Sequence, residues 1–248
     1  MVPYRYVKRQ TPSKAAGKAS RLNARFMAVL LVVVGLFFFI NAAYPIISYQ
    51  LLISPRFSTA FISPNSDAAI AQTFGPPNGE TEVLGTEIDL VDYTKASNWF
   101  PEENTAFAEE AVNTYQFSIP KLGIDKAVVV VGMEDLKKSL VQYPGTASPG
   151  RFGNTVIFGH SVLPQFFNPK NYLTIFSTLP TLKIGDEIFV DYGQVRYKFV
   201  IEQMIEVAPN DISILAQRYD DAYLTLITCV PPGTYLRRLI IRARLTKI

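Results

Sequence analysis

Hydrophobic and polar positions divide the chain into three unlike stretches. The first is continuous: Phe26 to Ile40 (FMAVLLVVVGLFFFI) carries no polar side chain, and the apolar character runs on through Ala42, Ala43, Pro45, Ile46 and Ile47. About 20 such residues cross a hydrocarbon layer of roughly 30 Å at 1.5 Å per residue, so the pattern predicts one transmembrane helix near residues 26–47. A cleaved signal peptide and a buried core helix are the competing readings. Against the first, the uncharged stretch outlasts a signal h-region, and Asn41 to Ala43 make a poor small-x-small cleavage site.

The second stretch, residues 48–114, holds no sustained period. Ser-Pro at 54–55 and 63–64, Gly-Pro-Pro at 75–77 and Asn-Gly at 78–79 interrupt any helix or strand, which reads as an extracytoplasmic connector. Inside it, Glu82–Tyr93 (EVLGTEIDLVDY) alternates as one or two strands do, and Trp99-Phe100 is a wasteful pair for a purely solvated linker. Part of the connector is therefore expected to pack on the domain that follows, as simple cover or as a lid.

The third stretch, residues 115–248, consists of short β-rich runs split by turn residues. Ala127–Val131, Asn154–His160, Glu187–Asp191, Arg196–Val207, Tyr223–Cys229 and Arg238–Leu245 are the clearest predicted strands, with Pro-Gly at 144–145 and 149–150 and Ile-Gly-Asp at 184–186 between them. Pro209-Asn210-Asp211 predicts a short helical turn over Ile212–Ala216. No segment repeats at a fixed period, which excludes solenoids and propellers. A mainly antiparallel barrel or sandwich of about 130 residues is the natural architecture, large enough to bury its own core.

Charge sharpens the membrane reading. The chain has 248 residues with 24 Lys/Arg and 21 Asp/Glu. Arg5, Lys8, Arg9, Lys14, Lys18, Arg21 and Arg25 fall in the first 25 residues without one acid, so the remaining 17 basic residues face 21 acids and the rest of the chain is −4. Basic flanks stay in the cytoplasm. Residues 1–25 are then a cytoplasmic tail, everything after about residue 50 lies outside, and the basic stretch is a topology signal rather than a nucleic-acid site.

One cysteine and one histidine exclude an internal disulfide and any zinc site of three or four Cys/His ligands. An unpaired Cys in an exported chain points to a reactive role, with a buried small hydrophobe as the alternative. Cys229 ends the run Tyr-Leu-Thr-Leu-Ile-Thr-Cys, just before Val-Pro-Pro-Gly. Alternation puts Leu224 and Leu226 on one face and Tyr223, Thr225, Ile227 and Cys229 on the other. With the leucines in the core, Cys229 faces outward. In the next run, Leu239, Ile241, Ala243 and Leu245 share the core face, which leaves Arg238, Arg242 and Arg244 on the solvent side beside Cys229 and Arg237 at the start of the core side. A guanidinium next to the thiol can stabilise a thiolate or an oxyanion and orient a carbonyl; an ordinary solvated strand-edge Arg is the bland alternative. His160 ends Asn-Thr-Val-Ile-Phe-Gly-His. A lone His is more often structural, yet a Cys nucleophile that needs an imidazole has no other candidate here.

These residues together resemble the sortase family. Thr225-Leu-Ile-Thr-Cys229 is similar to its TLxTC signature, Asn154–His160 to its NTVIxGH strand, and Arg238-Leu-Ile-Ile-Arg242 to the strand that carries its arginine. Ile119–Asp125, Tyr143–Gly150 and Ile184–Ile188 resemble further family segments in the same order, and the likeness covers roughly residues 115–248. It implies a mainly β fold, an eight-stranded barrel with short helices after one N-terminal transmembrane helix, and a membrane-anchored cysteine transpeptidase. Cys229 would be the nucleophile, His160 the general acid/base and Arg238 the transition-state arginine, with Arg237 a competitor for that role and Thr228 a substrate-binding or oxyanion residue. The implied partners are proteins with a C-terminal LPxTG-type sorting signal, a primary amine of cell-wall precursor or a protein lysine, and the lipid bilayer. No cofactor and no metal are implied, since Glu202, Glu206, Asp211, Asp220 and Asp221 lack a calcium-ligand spacing. The absence of an Asp-Pro dipeptide and of a second apolar span resembles housekeeping sortases more than pilin-polymerising ones. A cysteine hydrolase using the same site and a non-enzymatic, membrane-tethered binding module stay open.

Overall fold

The computed structural model describes residues 17–57, 92–99 and 113–247. The predicted strand over Glu82–Tyr93 lies outside the described residues except for Asp92 and Tyr93, and so does Phe100. Two compact units divide at Tyr44 and Pro45.

Helix α1 begins at Gly17 and continues to Ser48, so all but its last four residues belong to the first unit. The fifteen residues Phe26–Ile40 give it no polar stripe, and their side chains are exposed on every side. A helix apolar all round is stable only in an apolar solvent, and among the described residues this is the one helix long and apolar enough to cross a membrane.

The second unit is built on a closed barrel of eight strands: β1 Thr114–Ile119, β2 Ile124–Val131, β3 Leu140–Gln142, β4 Gly153–Phe158, β5 Glu187–Tyr192, β6 Val195–Val207, β7 Ala222–Val230 and β8 Arg237–Thr246. Around the barrel the order is β1-β2-β3-β4-β7-β8-β6-β5. The pairs β2/β3 and β4/β7 are parallel and the others antiparallel. All six predicted strands are recovered to within three residues at each end; Asn154–His160 corresponds to β4, which stops at Phe158. The three-residue β3 shows no readable alternation, and its existence depends on its neighbours. Asp211 caps the predicted turn at Ile212–Leu215, accepting from the Ser213 amide.

Every strand contributes to one apolar cluster, which is therefore the barrel interior; Phe117, Leu140, Ile157, Ile188, Phe199, Leu226 and Ile241 are representative. A second cluster takes side chains from β3, β4, β6, β7 and β8 alone, together with Ala96, Trp99, Leu136 and Ile214. It lies on the outside of the barrel wall under the connections that cross it. Because β7 is covered on both faces, all nine of its residues are buried, which explains its near-continuous apolar reading.

A bulge in β6 between Ile201 and Gln203 shifts the phase of the strand. Strict alternation from Phe199 would turn Ile205 and Val207 inward. After the extra residue they join the outer cluster, and Glu206 instead turns toward the interior side at the end of the barrel. There Glu206 is buried and accepts from the Tyr49 hydroxyl at 2.5 Å and the Ser54 hydroxyl at 3.0 Å, with Arg237 Nε 3.5 Å away. Tyr49 is itself buried against the barrel core, so the segment following α1 closes this end of the barrel. A hydrogen bond to a charged group contributes about 2 kcal/mol. Tyr49→Phe is accordingly expected to lower the Tm of soluble protein beginning at Pro45 by roughly 4–8 °C. An unchanged Tm in thermal unfolding would remove Tyr49 from the fold's polar framework.

Candidate active site

Strand register brings the three predicted chemical side chains together. Cys229 in β7 is paired directly with Arg238 in β8, and side chains directly opposite on one face start about 5 Å apart. Arg238 Nη1 lies 3.5 Å from Cys229 Sγ and 3.3 Å from the Tyr235 carbonyl. On the other side of β7, Phe158 of β4 pairs with Ile227. The Gly159 amide donates to the Ile227 carbonyl at 3.2 Å, so the next residue along, His160, falls level with Cys229. Phe158, Ile227 and Cys229 all belong to the outer cluster, and parity puts His160 on the same outer face.

Gly159 is needed immediately before the histidine. A Cβ there would sit 2.2 Å from Phe176 Cδ2, and the Phe176 amide donates to the His160 carbonyl at 3.1 Å. The ring therefore packs against the backbone that carries His160 and holds it against β7. Ser161 follows. Its amide donates to His160 Nδ1 at 3.0 Å and its hydroxyl to the Cys229 carbonyl at 2.8 Å.

Arg237 and Thr228 are placed elsewhere. Arg237 takes the opposite parity from Arg238 and reaches Glu206. Thr228, expected to meet substrate, lies with Leu226 on the inward parity, is fully buried, and donates its hydroxyl to the Gly159 carbonyl at 2.9 Å. It braces the histidine segment against β7. The acids considered as calcium ligands have local partners: Glu202 meets Arg244, Asp220 meets Arg218, and Asp211 and Asp221 accept from nearby backbone amides.

The outward-facing expectation for Cys229 and Arg238 holds for the barrel wall and fails for solvent. Cys229 is 0 % exposed, Arg238 1 % and His160 5 %. Their cover is the strap Asp92–Trp99. The Trp99 ring stacks on Phe158 with centroids 5.4 Å apart and lies 4.9 Å from Arg238 Cζ; Tyr93 lies 5.5 Å from Cζ on its own account and stacks on Tyr235 at 4.3 Å. The strap is held to the connection before β3 by the Ala96 amide on Glu134 O, the Leu136 amide on Thr94 O and the Ser97 hydroxyl on Glu134 Oε1. Arg238 is thus a buried cation facing aromatic rings, an interaction that strengthens when water is excluded. Its Nε has no hydrogen-bond partner among the described residues.

Burial also sets the protonation states. The Cys229 thiol is pushed up to about 11, burial outweighing the opposing pull of Arg238. Burial lowers His160; Asp92 works against that shift and Lys137 adds to it. The sealed site therefore holds a neutral thiol beside a neutral imidazole.

Against known proteins, residues 117–246 match the sortase domain family model, which is more than half of the chain. This chain belongs to the sortase family. Sortase A of Bacillus anthracis is 24 % identical over 166 residues, covering 65 % of this chain and 70 % of the relative. Among solved structures, a Clostridium perfringens sortase D5 transpeptidase is 26 % identical and covers 56 % of this chain and 84 % of its own, with a TM-score of 0.48. Sortase A from Corynebacterium diphtheriae is 28 % identical, covers 56 % and 63 %, and has the same TM-score. The present sortase is a cysteine transpeptidase, and among its described residues one helix is suited to a membrane anchor. Its sole cysteine is Cys229.

Proposed function

We propose that this sortase cleaves an LPxTG-type sorting signal through a thioester on Cys229 and transfers the new carboxyl end to a primary amine. The observation that carries the assignment is the buried Arg238, with one nitrogen on the Cys229 sulfur and Nε unpartnered. When the strap lifts, Arg238 holds the carbonyl oxygen of the scissile bond and the negative charge that develops on it. The Cys229 thiol gives its proton to His160, and sulfur bonds to the carbonyl carbon. The C–N bond breaks as His160 returns that proton to the departing amine. An incoming amine then attacks the thioester, gives up a proton to His160, and the thiolate leaves. Arg237 is engaged with Glu206, which supports Arg238 for the carbonyl role. The strap Asp92–Trp99 is the gate to this site.

The same reading lays the chain out as a cytoplasmic tail over 1–25, a membrane helix over 26–47, a connector over 48–114 whose strap covers the site, and a catalytic domain over 115–248 outside the membrane. Clients are proteins with C-terminal sorting signals; acceptors are amines of cell-wall precursor or protein lysines.

The test uses soluble protein from Pro45 onward, which keeps Tyr49 on Glu206, together with its Trp99→Ala form. Both are incubated with LPxTG-like peptides and hydroxylamine, and products are read by mass spectrometry. A hydroxamate that forms with Cys229 intact and vanishes in Cys229→Ala is the expected result. Cleavage to the free acid alone, with hydroxylamine present, would instead identify a hydrolase.

A further inference from the structure

The parallel ladder between β4 and β7 ends in an exchange of donors. Its amides donate with a fixed offset: Gly153 to the Asp221 carbonyl at 2.9 Å and Gly159 to the Ile227 carbonyl at 3.2 Å. Two residues further on, the regular pattern of parallel strands calls for the Ser161 amide on the Cys229 carbonyl. That carbonyl is occupied by Ser161, but by its hydroxyl, at 2.8 Å. The displaced amide points to the imidazole of its neighbour, 3.0 Å from His160 Nδ1. Ser161 is 2 % exposed, so water does not compete for either bond.

We propose that Ser161 is a positioning residue that decides which ring nitrogen of His160 carries the proton: its hydroxyl takes the acceptor its own amide would otherwise use, and the freed amide keeps Nδ1 unprotonated. A neutral imidazole that accepts at Nδ1 carries its hydrogen on Nε2. In the sealed site His160 is therefore a donor at Nε2 and cannot receive the Cys229 proton there. Protonation of Nδ1 requires the amide to leave, and the acceptor that completes the ladder, the Cys229 carbonyl, is already within reach of the same residue. The two states differ by which of Ser161's two donors serves that carbonyl.

This inference rests on His160 as the acid/base group, yet its readout does not depend on activity. The chain contains a single histidine, so protein with 15N-labelled histidine gives one imidazole, and its two nitrogen shifts identify the tautomer without assignment. The soluble sortase from Pro45 onward is expected to show the Nε2–H form. In Ser161→Ala the Cys229 carbonyl loses its donor and draws the amide back. The Nε2–H preference is then lost, and the His160 titration midpoint moves up by roughly 0.5–1 on the pH scale, since a hydrogen bond that favoured the neutral ring is gone. Ser161→Thr keeps a hydroxyl and restores both values. Asp92 and Lys137 act on the ring electrostatically, Cys229 stands level with it on the neighbouring strand with Arg238 beyond, and all four are unchanged across the series. Thr228→Val, which removes the neighbouring hydroxyl brace, is expected to lower Tm and leave the tautomer as it is. A wild-type spectrum of the Nδ1–H form would overturn the proposal even if Ser161→Ala failed to fold. So would a Ser161→Ala spectrum and midpoint identical to wild type. If instead His160→Ala retained transpeptidation, the acid/base assignment would fall while the tautomer result stood.

Discussion

Arg238→Ala is expected to lower kcat for acyl transfer by about 10²–10³-fold, the loss seen when a donor to a developing oxyanion is removed. The effect falls on kcat more than on KM, because the carbonyl oxygen gains charge only as the thiolate attacks. A second consequence concerns the thiol. Arg238 is the one group that pulls the Cys229 thiol downward against burial, so its removal raises the thiol further above about 11. Arg238→Lys separates charge from geometry: an ammonium restores part of the thiol shift but lacks the planar set of donors that serves sulfur and carbonyl together. It is expected to recover less than a tenth of the lost rate. Steady-state kinetics on the peptide found by hydroxylamine capture, with alkylation of Cys229 followed against pH, measure both effects. Wild-type turnover in Arg238→Lys, or an alkylation midpoint unmoved in Arg238→Ala, would rule out this role.

Opening the strap has an effect of similar size and opposite sign. Trp99 is buried between Phe158 and Arg238, and its indole N–H donates to the Tyr93 carbonyl at 2.8 Å. Truncating a buried aromatic to alanine removes about 3–5 kcal/mol of packing. That loss falls on the docked strap, so the open population rises by roughly 10²-fold or more. In Trp99→Ala, alkylation of Cys229 near pH 8 is expected to accelerate by about that factor, and the thiol midpoint to fall from about 11 toward its ordinary value of 9.0. The sign of the pH dependence follows. The closed state raises the thiol pKa, so it binds that proton more tightly than the open state does. Closure is therefore fully favoured below about pH 9 and weakens as pH rises toward about 11, by about 3 kcal/mol in all. Slow, pH-independent alkylation in a folded Trp99→Ala protein would show that the strap does not gate the thiol.

Both predictions concern side chains whose adjacency was readable and whose environment was not. The parity of Leu224, Leu226 and Cys229, set against that of Leu239, Ile241 and Arg238, places thiol and guanidinium on one face because strand alternation is a local property. The same parity cannot report burial. What covers Cys229 is Trp99, 130 positions earlier in the chain, in a segment whose broken pattern identifies a connector and whose Trp-Phe pair indicates only that some of it packs. The β6 bulge misleads alternation in the same way. One added residue sends Ile205 and Val207 to the outer cluster and Glu206 to Tyr49, and nothing in VIEQMIEV marks where the phase changes. Thr228 illustrates the reverse case. Its place in the TLxTC segment suggested contact with substrate, whereas its parity with Leu226 already pointed inward, toward the brace on Gly159.

By itself the sequence determined the apolar helix, the β-rich character of the chain after it, the family, and the shared face of Cys229 and Arg238, since each depends on composition, period or alternation along a short stretch. Only the tertiary structure decided the burial of Cys229, His160 and Arg238, the pairing of Arg237 with Glu206, and the double use of Ser161. These follow from desolvation and hydrogen-bond competition among segments far apart in the chain, and the strengths of both are fixed by which groups exclude water from one another after the barrel has closed.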